Sequence, residues 1–91
     1  IMREYSVADY IAQYGQPELV NGKLDLSKKK ITSLFGLDKF DLRSKTLSLD
    51  ISGNYLYDMR LDLQPLILPF AGFEDLEELS LNNCQLQYLS E

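Results

Sequence analysis

Cys84 is the single thiol of a chain of 91 residues that has no histidine. Without an imidazole there is no thiolate–imidazole pair, no histidine general base and none of the usual zinc sets. The thiol is either a buried structural group or a reactive one. The 14 Asp and Glu residues are spread along the chain, and no pairing among them suggests acid–base work. The glycines are isolated, and Ser52-Gly53-Asn54 spells a turn with no phosphate-loop pattern around it. Lys28-Lys29-Lys30 is the only basic run. It reads as a solvated turn or, in the alternative, as a contact for an acidic partner or a phosphate backbone. No enzyme, cofactor or metal centre is expected from this inventory.

The elements that would position these residues come from a recurring apolar spelling. KLDLSKKKI, SLDISGNYL and LEELSLNNCQL each place aliphatic residues at alternate positions, with a polar or cysteine residue three later and another aliphatic two beyond. The positions are Leu24, Leu26, Lys29 and Ile31; Leu49, Ile51, Asn54 and Leu56; and Leu76, Leu79, Leu81, Cys84, Leu86 and Leu89. This pattern resembles the leucine-rich repeat, L-x-x-L-x-L-x-x-N/C-x-L. GLDKF and GFEDL resemble the return segments of its intracellular families, among them the phosphatase-regulator and spliceosomal types. The resemblance covers about three quarters of the chain and is most specific in the third unit. It implies an α/β leucine-rich-repeat solenoid, with short parallel strands stacked on a concave face. It also places Cys84 on the Asn/Cys consensus position, where a buried structural thiol is expected. Lys29 departs from that position, as a degenerate terminal unit would.

Leu24 and Leu49 are separated by 25 residues, and Leu49 and Leu79 by 30. The second unit is therefore overlong, with its excess in residues 61–71. Within it, LILPF at 66–70 either folds back over the convex core or is an exposed docking element. Phe40 and Phe73 on the return segments are expected to fill the inside of the convex side.

Residues 1–22 read as an N-terminal helical cap, and residues 23–91 as about three repeats in the same single domain. Ser6 suits an N-cap with Asp9 as its capping-box partner. Val7, Tyr10, Ile11 and Tyr14 form one apolar stripe, and Gly15 and Pro17 end the helix. So short a helix must dock, either as a cap on the edge of the first unit or on a partner. At the other end no cap is spelled after the third unit. The chain is then a fragment of a longer array, or another chain covers its open strand.

Ninety-one residues with 45% apolar and 25% charged content suit one small domain. A net charge of -5 argues against direct contact with duplex nucleic acid. One cysteine allows no internal disulfide, no apolar run is long enough to span a membrane, and the start lacks an apolar signal segment. An intracellular protein, cytoplasmic or nuclear, is expected; Ile1 leaves a processed or truncated start open.

The outward neighbours of the core aliphatics are the candidate contact residues: Lys23, Asp25 and Ser27; Ser48, Asp50 and Ser52; Glu78, Ser80 and Asn82. In-register stacking would align Asp25, Asp50 and Ser80, and the mild repulsion of two neighbouring carboxylates would favour a cation from a partner. Simple solvation is the alternative. Tyr55, Tyr57 and Tyr88 follow the strands and are of a type enriched in binding hot spots. The expectation is a non-catalytic protein-interaction module that binds through the concave face or the open C-terminal repeat, where self-association is also possible. The alternative is a structural subunit built into a larger protein or ribonucleoprotein assembly.

Overall fold

The computed structural model describes residues 3–56 and 70–84. Ser6 caps helix α1, Val7–Tyr14, and the capping box closes in both directions. Ser6 Oγ accepts from the Asp9 amide at 3.1 Å, and Asp9 Oδ2 accepts from the Ser6 amide at 2.9 Å. These bonds satisfy donors that the first helical turn leaves open. Gly15 ends the helix at φ 83, its amide donating to the Ile11 carbonyl.

A four-stranded sheet follows: β1 (Leu19–Val20), β2 (Lys23–Asp25), β3 (Ser48–Asp50) and β4 (Glu78–Ser80), in that spatial order. β1 runs antiparallel to β2, while β2, β3 and β4 are parallel. Asn21 and Gly22 join β1 to β2 with φ of 52 and 78. Positive φ at both positions of an Asn-Gly pair suits the tight hairpin whose twist matches its strands. The edge of β2 is therefore covered by β1, where the helix had been expected to cover it. The helix docks elsewhere: the Val7 and Ala8 amides donate to the carbonyls of Ser33 and Phe35. Gly36, at φ 94, is what admits it, since a Cβ there would lie 2.5 Å from that of Ala8.

Leu24, Leu49 and Leu79 stand in register across the parallel strands. The first two are fully buried, and Leu26, Ile31, Ile51 and Leu56 join them in the core. Behind the strands the chain returns through 3-10 turns at Leu37–Lys39 and Arg43–Lys45. Phe40 on this return and Phe73 on the one that leads into β4 are buried and stack with centroids 6.4 Å apart. The Arg43 guanidinium ties the two returns together by donating to the Phe40 and Ala71 carbonyls.

The turns that end β2 and β3 are closed by side chains from the unit that follows each of them. Asn54 is completely buried and makes four hydrogen bonds. Its Oδ1 accepts from the Lys29 and Ile31 amides, and its Nδ2 donates to the Leu26 and Ile51 carbonyls. Cys84 is buried, and its thiol donates to the Ile51 carbonyl at 3.0 Å. Lys29 is exposed, and the amide that Asn54 caps is its own. Residues 66–69 of LILPF, together with Tyr57, Leu86, Tyr88 and Leu89, lie outside the described residues.

Candidate functional site

The outer face of the sheet is a grid of polar side chains. Lys23, Ser48 and Glu78 form one row, and Asp25, Asp50 and Ser80 the next. Alternation along each strand sends these residues outward while Leu24 and Leu49 point into the core. A further row carries Ser27, Ser52 and Asn82, two positions on.

The two aspartates repeat one local geometry. Asp25 Oδ1 accepts from the Ser27 amide at 2.9 Å and from the Ser27 hydroxyl at 2.6 Å. Asp50 Oδ1 accepts from the Ser52 amide and hydroxyl at the same two distances. In the third strand the polarity reverses, with Asn82 Nδ2 donating to Ser80 Oγ at 3.3 Å. The Ser27 hydroxyl and amide, the largest influences, hold the Asp25 carboxyl below the ordinary carboxylate range; partial burial opposes them, and Lys23 and Lys29 assist.

The two carboxylates, expected to favour a cation from a partner or else to be simply solvated, have one cation of this chain nearby. Lys23 Nζ lies 3.9 Å from Asp50 Oδ2, and serine donors occupy one oxygen of each aspartate. The row is locally compensated. The second oxygen of Asp25 has no protein hydrogen bond among the described residues, and Glu78 and Asn82 are exposed.

Tyr55 stands apart from this grid. It lines an open cleft of about 780 Å³ together with Arg3, Tyr5, Tyr10, Gln13, Tyr14, Lys28, Lys29 and Lys30. Three segments build it: α1 with the residues before it, the turn after β2, and the turn after β3. The tyrosines of α1 had been read as an apolar docking stripe, yet Tyr14 is 66% exposed. A hydroxyl on two of the four stripe positions was the available signal, and only the folded chain brings those positions to the lysines. Among the described residues no group of three or more His, Cys, Asp or Glu side chains is placed to hold a metal ion. No described helix is long and apolar enough to cross a membrane.

Comparison with family models, with curated proteins and with solved structures gives no match to this chain.

Proposed function

We propose that the chain is a leucine-rich-repeat module without catalytic activity, which binds a protein partner through the outer face of its parallel sheet. The observation that carries this reading is the in-register polar grid, above all the Asp25–Asp50–Ser80 row, held rigid by paired Asp–Ser turns. Preorganised polar groups lose little freedom on binding, so a grid of this kind gives orientation and specificity to a protein contact. Short strands with alternating buried leucines and the Asn54 and Cys84 turn closures fit the repeat assignment.

The test uses Asp25→Asn with Asp50→Asn, which keeps an Oδ1 acceptor for each serine while removing both charges. Quantitative cross-linking in cell extract should show at least one protein whose capture falls about tenfold or more in the variant. Circular dichroism and sedimentation should not change. If every captured protein binds both forms equally, the sheet-face reading is wrong.

The structural-subunit reading draws on a different observation. Leu79 is 40% exposed although Leu24 and Leu49, its neighbours in register, are fully buried. Among the described residues β4 pairs only with β3. An additional strand from another chain would cover both features. Under this reading Leu79→Glu abolishes assembly seen by sedimentation; under the first it leaves partner capture intact.

A further inference from the structure

The cleft beside α1 concentrates one kind of charge in a chain that carries the other. Four of its lining residues, Arg3, Lys28, Lys29 and Lys30, are cations, and among the described residues no carboxylate lines it. The chain as a whole has 9 basic and 14 acidic residues. Tyr5, Tyr10, Tyr14 and Tyr55 supply the walls, so four of the six tyrosines meet at one place.

The backbone gives a second, independent indication. Lys28 and Lys30 sit in the left-handed region at φ 54 and 62. A non-glycine residue there is uncommon, and asparagine or glycine would hold the same turn at less cost. Two lysines in such positions are not what turn stability selects. They flank Lys29, whose ammonium lies 6.0 Å from the Tyr10 ring centroid.

We propose that this cleft binds an acidic peptide segment, with the lysines and Arg3 pairing its carboxylates and the tyrosines packing its backbone and stems. Among the described residues the Tyr10, Tyr14 and Tyr55 hydroxyls have no protein partner, and each can donate to a carboxylate. A single-stranded nucleic acid would need open aromatic faces on which to stack its bases. Here Tyr10 and Tyr14 pack on each other at 4.8 Å and Lys29 sits over Tyr10, which leaves Tyr10 without a free face, although Tyr14 is 66% exposed. A long polyanion would also meet the repulsion of the whole acidic chain, whereas a short acidic segment meets only the cleft.

The site is distinct from the sheet grid, and its test does not depend on that reading. The probe is fluorescein-labelled hexaglutamate, titrated with the chain at low salt and followed by anisotropy, beside labelled hexathymidylate and hexalysine. Saturable binding of hexaglutamate is expected, with a concurrent change in tyrosine fluorescence, because the chain has no tryptophan and most of its tyrosines line the cleft. Lys28→Asn with Lys30→Asn should weaken binding by about threefold to tenfold while leaving the thermal midpoint unchanged or raised, since asparagine suits both turn positions. Asp25→Asn with Asp50→Asn should bind hexaglutamate at least as tightly as the parent, since it removes negative charge that Lys29 feels. The proposal is overturned if hexaglutamate does not bind, if the lysine variant binds it unchanged, or if hexathymidylate binds more tightly than the peptide; the last result would assign the cleft to single-stranded nucleic acid.

Discussion

Asn54 and Cys84 occupy equivalent places after successive strands, yet their removal should have unequal effects. Asn54→Ala leaves the Lys29 and Ile31 amides and the Leu26 carbonyl without partners, around a fully buried position. Each stranded buried group costs about 1–3 kcal/mol, and the Ile31 amide and Leu26 carbonyl are buried, so a loss of at least about 2 kcal/mol is expected in urea unfolding. Cys84→Ala removes a weak donor from Ile51, whose carbonyl keeps its bond from Asn54. That change should cost about 1 kcal/mol, mostly from lost packing. Asp25 adds a pH signature. Its carboxyl is held low in the folded chain, so it contributes stability above the ordinary carboxylate range, and that contribution disappears as pH falls through the folded value. The stability gap between the parent and Asp25→Asn should therefore be larger at pH 7 than at pH 3, as read from urea midpoints. Local chemistry of this sort was partly legible in advance: Ser6 and Asp9 spell their capping box outright, whereas the Lys23–Asp50 contact depends on which strands become neighbours.

For the elements, the decisive contacts are those by which α1 and β1 divide the work at the N-terminal side. The Asn21-Gly22 pair is a strong hairpin signal, but a reading that assigned residues 1–22 wholly to a helical cap passed over it. The strands themselves followed the alternation of aliphatic residues, because burial on one face enforces a period of two. Gly36 sets the seat of α1. Gly36→Ala would drive a Cβ into Ala8 from a left-handed backbone position. The expected result is release of the helix: the Val7 and Ala8 amides, bonded to Ser33 and Phe35, should lose hydrogen-exchange protection while Leu26 and Ile51 in the sheet region keep theirs. Equal loss throughout would mean that the helix and sheet unfold as one unit.

Across the molecule, the sheet grid was visible in the sequence because each row is a fixed offset from a leucine. The tyrosine–lysine cleft was not, since its walls come from residues 3–14, 28–30 and 55, and no periodicity links them. The tyrosines of α1 looked like docking residues, and the lysines like a solvated turn or a contact for an acidic partner or a phosphate backbone, with nothing to join the two groups. Removing residues 1–22 should affect the whole molecule in two ways, uncovering the backbone edge of β2 and eliminating half of the cleft. Light scattering should report association of the truncated chain through that edge, and hexaglutamate binding should be lost.

Asn54 also imposes an order in time. The turn it completes spans Leu26 to Ile31, and the bonds reach back 23 to 28 residues. During synthesis at roughly 5–20 residues per second, the ribosome delivers that turn a second or more before the side chain that closes it. The Ile51 carbonyl likewise receives its thiol only when Cys84 arrives, 33 residues later. Each newly made segment thus waits for its successor, and a nascent chain stalled before Asn54 would expose the backbone groups that a chaperone or protease recognises.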